Sequence, residues 1–290
     1  MNGILNIYKP QGITSFGVIS FLRKYLGIKK MGHLGTLDPD ATGVLPVCIG
    51  NATKAVEFLM DKDKSYKVKL KLGVKTDTAD ATGNVIETKE VNCSNKQIMD
   101  CLLSFKGNQT QVPPMYSALK VDGKKLCDLA RRGEVVERKK RDIMIYDIRI
   151  LKIEENCVYF EVDCSKGTYI RTLCEDVGDR LFCGGHMKEL ERTCAGEFHL
   201  SNALTLDNVK FLKEQGKLEE KLVRVDECFS DYPKVILSDT ESKKFLNGLR
   251  FRTNLKEDSL YRVYEEKVFL GLGEVIKRDG ELFFKSRKLF

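Results

Sequence analysis

Residues 66–72, Tyr66-Lys67-Val68-Lys69-Leu70-Lys71-Leu72, alternate without a break between apolar side chains and lysines. A period of two belongs to a strand, and this strand has one face for a core and one for water. Tyr66 opens the apolar face. Val158, Phe160, Val162 and Cys164 repeat the pattern. They run into a Ser165-Lys166-Gly167 turn and then a helix with Ile170, Leu173, Cys174, Val177 and Leu181 on its apolar stripe. Strands and helices follow one another without a regular βα alternation. That pattern fits an α+β chain better than a doubly wound parallel sheet.

Helix signals are explicit. Thr14 or Ser15 can cap a helix through Val18, Ile19, Leu22 and Leu26, with Arg23 and Lys24 near its end and Gly27 after it. Ser94-Asn95-Lys96-Gln97 reads as a capping box that opens a helix through Ile98, Cys101, Leu102 and Phe105. Arg171 stands about 100° round from Ile170, off the apolar stripe and in a first helical turn. A cation there opposes the helix dipole, so a local partner is required. After Glu219 the character changes, and 232–290 hold one capped helix and several short β-like runs punctuated by Gly271, Gly273 and Gly280. This predicts a small β-rich module over 229–290, behind a larger unit over 1–228.

Composition limits the function classes. With 42% hydrophobic residues the chain can build a core. No apolar run approaches the ~20 residues of a membrane span. The first ten residues have neither a basic start nor a long apolar stretch, so no secretion signal is read and a cytoplasmic protein is expected. Ten cysteines without a C-x-x-C pair, and three histidines (His33, His186, His199) not paired at helical spacing, give no metal-ligand pattern. The cysteines read as small buried apolar residues of a reduced compartment.

Charge is unevenly placed. No carboxylate precedes Asp38, while Lys9, Arg23, Lys24, Lys29 and Lys30 do. Residues 114–141 carry nine basic side chains against four acidic ones, in a gapped pattern with Gly123 and Gly133 that suggests an exposed excursion. Each cluster alone could be a solvated face; together, around one carboxylate, they favour a polyanion partner.

That carboxylate lies in the least ordinary segment, Gly32-His33-Leu34-Gly35-Thr36-Leu37-Asp38-Pro39-Asp40-Ala41-Thr42-Gly43-Val44-Leu45-Pro46. Its glycines and prolines predict a loop that is neither helix nor regular strand. A calcium loop fails, because the twelfth position is Ile49 where a bidentate Glu is needed and Pro39 interrupts it. Asp38 before Pro39 could also simply begin a turn or cap a helix.

The segment resembles the catalytic motif of the TruB family, tRNA pseudouridine synthases acting on the T loop. Other segments similar to that family follow in order: Lys9-Pro10-Gln11-Gly12-Ile13-Thr14-Ser15, Lys64-Ser65-Tyr66, and Thr76-Asp77-Thr78-Ala79-Asp80. Later come Gln111-Val112-Pro113-Pro114-Met115-Tyr116-Ser117-Ala118-Leu119-Lys120 and the run from Cys164 through Tyr169, Ile170 and Arg171 to Leu173. The resemblance covers most of residues 1–198. It implies a pseudouridine synthase fold, with a mixed, largely antiparallel central sheet flanked by helices and loops, and a PUA-like RNA-binding module as the tail.

The implied reaction converts the uridine at position 55 of the T loop to pseudouridine, without cofactor or metal. By resemblance, Asp38 is the catalytic carboxylate, Arg171 its cationic partner, and Tyr66 the ring that stacks on the base, with its hydroxyl near the reacting centre and placed to move the C5 proton. His33 fills the space left by the extruded uridine, Tyr169 and Leu190 line the base pocket, and Lys9 and Pro10 shape its floor and RNA edge. Residues 114–141 match the family's insertion, which closes over the T arm. The implied partner is a tRNA T-arm stem-loop rather than DNA or a membrane, met by a monomer. Residue by residue, His33 could instead be structural, and Tyr66, Tyr169 and Leu190 ordinary packing residues. One departure stands out: the family usually follows the leucine at 190 with two arginines, and this chain has Glu191-Arg192. Two rival functions share the same motifs, a tRNA-folding factor with secondary modification activity and the catalytic subunit of a guide-RNA pseudouridylation particle.

Overall fold

The computed structural model describes residues 1–290 except 118, 122, 135 and 258, and leaves out the side chains of 120, 125 and 127. The chain begins with β1 (Gly3–Lys9), α1 (Ser15–Leu26), β2 (Met31–His33), β3 (Thr42–Ile49), α2 (Val56–Leu59), β4 (Lys64–Leu72), β5 (Val74–Thr76) and β6 (Val85–Thr88). Then come α3 (Asn95–Leu103), β7 (Gly107–Gln111), β8 (Lys120–Val121), β9 (Lys124–Lys125), α4 (Leu126–Ala130), β10 (Arg141–Glu154) and β11 (Cys157–Cys164). The next elements are α5 (Ile170–Arg180), β12 (Gly185–Ala195), β13 (Phe198–His199) and α6 (Leu206–Glu214). Last are β14 (Lys234–Leu237), α7 (Asp239–Leu246), β15 (Phe251–Arg252), β16 (Leu260–Glu265), β17 (Val268–Arg278) and β18 (Glu281–Leu289).

The fold is α+β, built on a nine-stranded sheet. Its order is β1-β3-β12-β4-β11-β10-β7, with β2 beside β3 and β13 beside β12. These strands pair antiparallel except that β12 runs parallel to β3, over Glu191 opposite Thr42 and Arg192 opposite Gly43. The alternation of β4 sets the core: Val68, Leu70 and Leu72 are buried with Val158, Phe160 and Val162 of β11, under Ile98 and Leu102 of α3 and Leu173 and Val177 of α5. Tyr66 packs at the edge of the same cluster. A second cluster joins Leu5 and Ile7 of β1 to Leu45 and Val47 of β3 and to Val18, Ile19 and Leu22 of α1. Burying each such side chain contributes about 1.5–3 kcal/mol. Thr14 caps α1 by accepting from the Gly17 N–H at 2.8 Å, and Gly27 closes the helix in the left-handed region. Ser94 and Gln97 form their capping box on α3.

The Gly32 to Pro46 segment is more regular than its glycines suggest. Gly32 and His33 belong to β2, and Thr42 begins β3, so only residues 34–41 run outside strands. The reason is long-range pairing: Gly32 lies opposite Cys48 and His33 opposite Val47, partners no local pattern reveals. In 114–141, β8 and β9 form a hairpin followed by α4. A second sheet of five strands, β14-β16-β17-β18-β15, occupies the C-terminal part. Among the described residues no helix is long and apolar enough to cross a membrane.

Candidate active site

Three loops converge on the N-terminus of α5. The first carries Asp38, four residues before β3 begins. Asp38 is fixed through its neighbours: the Ser15 hydroxyl donates to the Leu37 carbonyl at 3.1 Å and accepts from the Leu37 N–H at 2.8 Å. The Pro39 carbonyl then accepts from Lys9 Nζ at 2.8 Å and from the Gly12 N–H at 3.0 Å. Lys9 also donates to the carbonyls of Pro10 (2.9 Å) and Ile13 (2.7 Å). Its side chain is fully enclosed, and burial brings its pKa down to about 8 despite the nearby carboxylates of Asp40 and Asp38. The ammonium therefore staples three backbone carbonyls together beneath the Asp38 loop. Pro10 itself is exposed.

Arg171 answers Asp38 from the first turn of α5. Its Nε lies 3.2 Å from Asp38 Oδ2 and its Nη2 3.5 Å from Oδ1. The arginine is 7% exposed, whereas the Asp38 side chain keeps 37% of its surface open. Two further acceptors hold the guanidinium: Asp80 Oδ2 at 3.4 Å from Nη1, and the Tyr116 carbonyl at 2.6 Å from Nη2. Asp80 comes from the turn between β5 and β6. Its other oxygen accepts from the hydroxyls of Thr78 (2.8 Å) and Thr82 (2.6 Å) and from the Thr82 N–H. Two carboxylates and a carbonyl thus offset a cation that the helix dipole disfavours.

Burial pushes the Asp38 carboxyl above its usual range. Arg171 and Lys9 oppose that rise, and Asp80 and Asp40 add to it. The guanidinium is the main force favouring the ionised acid against the burial that disfavours it.

Tyr66 is paired in register with Arg192 across β4 and β12. Burial pushes its hydroxyl up to about 12, while the charge of Arg192 and a hydrogen bond from it work the other way. Arg192 is 1% exposed and donates to the carbonyls of Val44 (2.7 Å) and Gly35 (3.1 Å). It is thus a buried cation among neutral acceptors, lying between β3 and Tyr66. Burial of His33, and after it the charge of Arg192, lower the pKa of that ring at the end of β2 and so favour its neutral form. His33 Nδ1 is buried without a hydrogen-bond partner. Tyr169 caps α5 directly before Ile170, and Leu190 sits opposite Val68 at the edge of the β4 core.

The structure therefore gathers Asp38, Arg171, Tyr66 and Lys9 with two residues given no role from the sequence, Asp80 and Arg192. Asp80 did lie within a noted segment, but its partner is 91 residues away. Glu191, at the position of the usual arginine, accepts from the Tyr8 hydroxyl at 3.2 Å. The side chains of Lys120 and Lys125, counted in the basic excursion, lie outside the described residues.

Three family models match in succession: TruB family pseudouridylate synthase, N-terminal domain, over residues 23–170; tRNA pseudouridylate synthase B C-terminal domain over 171–230; and pseudouridine synthase II TruB, C-terminal, over 233–283. The chain belongs to the TruB family. Among TruB relatives, tRNA pseudouridine synthase B of Clostridioides difficile (strain 630) is 45% identical over 300 residues, covering 100% of both chains. That of Clostridium novyi (strain NT) is 48% identical over 279 residues, covering 94% of this chain and 95% of its own. In structure, the TruB chain is similar to one in a crystal structure of a Cbf5-Nop10-Gar1 complex, with a TM-score of 0.75 and 27% identity over 99% of this chain and 84% of that one.

Proposed function

We propose that this TruB-family chain isomerises uridine to pseudouridine in tRNA, acting on the uridine at position 55 of the T loop. The N1–C1′ bond breaks, the base turns while bound, C5 bonds to C1′ and gives up its proton, and N1 ends with a proton in place of the sugar. The observation that carries this reading is Asp38 itself, a carboxylate that is partly open to solvent yet fastened to a buried guanidinium. A uridine drawn out of the T loop, at a cost of a few kcal/mol, brings its sugar–base bond to that carboxylate. Tyr66 offers its ring to the base, Tyr169 and Leu190 line the pocket, and the neutral His33 ring fills the vacated stack. The excursion over 114–141 closes on the T arm through phosphate contacts. The PUA-like module over 229–290 adds RNA surface to the catalytic unit over 1–228. The chain acts on tRNA as a monomer, and a tRNA substrate supports a cytoplasmic setting.

Full-length likeness to tRNA pseudouridine synthase B at 45–48% favours this reading over a guide-RNA particle subunit, whose likeness rests on 27% identity. Mass mapping of tRNA treated with the purified chain and then with a carbodiimide that labels pseudouridine selectively tests it, because the isomerisation itself leaves the mass unchanged. Pseudouridine at position 55 is expected with the wild type and none with Asp38→Asn, at nearly unchanged tRNA affinity. Product from Asp38→Asn at the wild-type rate would remove Asp38 from its role.

A further inference from the structure

The segment Gln111-Val112-Pro113-Pro114-Met115-Tyr116 is similar to a family motif, yet the reaction described above gives Gln111 nothing to do. In the structure it ends β7 and is 4% exposed. Its side-chain Oε1 accepts from the Tyr169 N–H at 3.0 Å, and its Nε2 donates to the Tyr169 carbonyl at 3.2 Å. This is a closed two-point pair of the kind neighbouring strands make, supplied here by an amide side chain to residue 169. The orientation of the amide follows from its partner, because a buried N–H needs an acceptor and a buried carbonyl a donor.

Tyr169 precedes α5 without a side-chain cap of its own, and Arg171 is two residues further on. The same segment then passes two prolines, whose rings fix φ near −65° and stiffen it. Its Tyr116 carbonyl reaches Arg171 Nη2 at 2.6 Å, shorter than either carboxylate contact of that guanidinium. One short strap thus grips the start of α5 twice, by its backbone and by its functional side chain. The strap is also where the basic excursion is rooted, and Arg138 returns from the excursion to donate to the Pro113 carbonyl at 3.1 Å.

We propose that Gln111 is a positioning residue for the isomerisation: by pairing with the Tyr169 backbone it holds the base pocket and the Arg171 guanidinium in register with Asp38. The inference rests on the function given to Asp38 above, and deepens it. Gln111 touches no substrate; it acts through Tyr169 and Arg171. Displacing that register by a fraction of an ångström affects turnover more than affinity, because RNA is held mainly by other surfaces.

The test uses the full chain and unmodified tRNA in single-turnover assays from about pH 5.5 to about pH 8, a window in which a buried glutamate changes protonation. Gln111→Ala should lower the rate constant about ten-fold, with tRNA Kd changed by no more than about two-fold. Gln111→Glu supplies the deciding readout. A neutral carboxylic acid has one donor and one acceptor and can rebuild the pair, whereas a carboxylate cannot donate and repels the Tyr169 carbonyl. The ratio of Gln111→Glu to wild-type rate should therefore rise as pH falls, while the Gln111→Ala ratio stays flat. Melting temperatures at each pH separate this from general destabilisation, and the glutamate series decides alone if the alanine variant does not fold. A flat glutamate ratio, or a loss confined to Kd, would overturn the inference. An active wild type with a flat ratio refutes only this role for Gln111; an inactive wild type refutes the functional reading and this one with it.

Discussion

Arg171 carries two carboxylates, and the second one tunes the first. Burial raises the Asp38 carboxyl, Arg171 pulls it back, and Asp80 pushes it further up. In the proposed role the acid works ionised, so the acid limb of the kcat/KM profile should lie above the ~3.9 of a free aspartate. Arg171→Gln removes the lowering partner and should move that limb upward, with a loss of about 10²-fold or more in turnover. Asp80→Asn removes a raising charge, retains a side chain that can bond the neighbouring threonines, and should move the limb downward. Movement of both limbs in one direction would contradict the arrangement. The same shift has a consequence for stability. A folded-state pKa above the unfolded value stabilises the fold below the unfolded pKa, and that contribution is lost as pH rises through the folded one. Ionised Asp38 is therefore a cost at pH 7, so Asp38→Asn should melt higher than wild type there. That advantage should vanish below about pH 4, where both states hold a protonated acid. Asp38 stood out as the earliest carboxylate of a basic stretch and Arg171 as a cation at the wrong end of a helix, but it was the family resemblance that paired them. Arg192 did not stand out: a cation satisfied by two carbonyls and a tyrosine hydroxyl leaves no periodic trace.

At the scale of elements, periodicity and caps were readable because they are local. The alternation at 66–72 became β4 with Tyr66 at the edge of its core face, and the Ser94 box opened α3. What escaped was the strand character of Gly32, His33 and residues 42–46, because glycine and proline there answer to pairing rather than to turns. Gly43 shows why. It has φ +102°, and a Cβ on it would stand 2.2 Å from the Arg192 carbonyl oxygen, at the parallel contact of β3 with β12. Neither backbone can yield without moving the strand that follows Asp38. Gly43→Ala should cost about 3 kcal/mol or more, as severe core changes do, and lower Tm by about 6–12 °C in calorimetry. Gly12 has φ +80° but nothing within 4 Å of an added Cβ. Gly12→Ala pays only the left-handed backbone, about 1–2 kcal/mol. Equal losses would mean that φ alone, and not the β3–β12 approach, explains Gly43.

The whole molecule is less divisible than the change of composition near residue 229 implies. Leu272 of β17 is fully buried in one cluster with Ile4 of β1 and Val44 of β3. Phe229 lies stacked on Tyr232 at 5.8 Å, tilted on Phe290 at 5.9 Å and edge-on to Phe58 at 6.0 Å, so α2 and the C-terminal residue meet around one ring. Polar links cross the same boundary: the Tyr264 hydroxyl donates to Asp226 at 2.8 Å, and Lys54 Nζ to the Leu289 carbonyl at 2.9 Å. A bead on a linker would melt separately, but two sheets sharing a core melt together. Calorimetry of the full chain should give one transition with equal calorimetric and van't Hoff enthalpies. Truncation after Tyr232 uncovers Phe58, Phe229 and the apolar side of α2, a contiguous patch of the kind that drives association. The truncated chain should melt lower and self-associate, and replacing Phe229 by Ser in the full chain should reproduce the lower melting with the second sheet retained. Two resolved transitions, with a truncated chain as stable as the whole, would show that the two sheets fold apart. The tail's contribution would then be confined to binding.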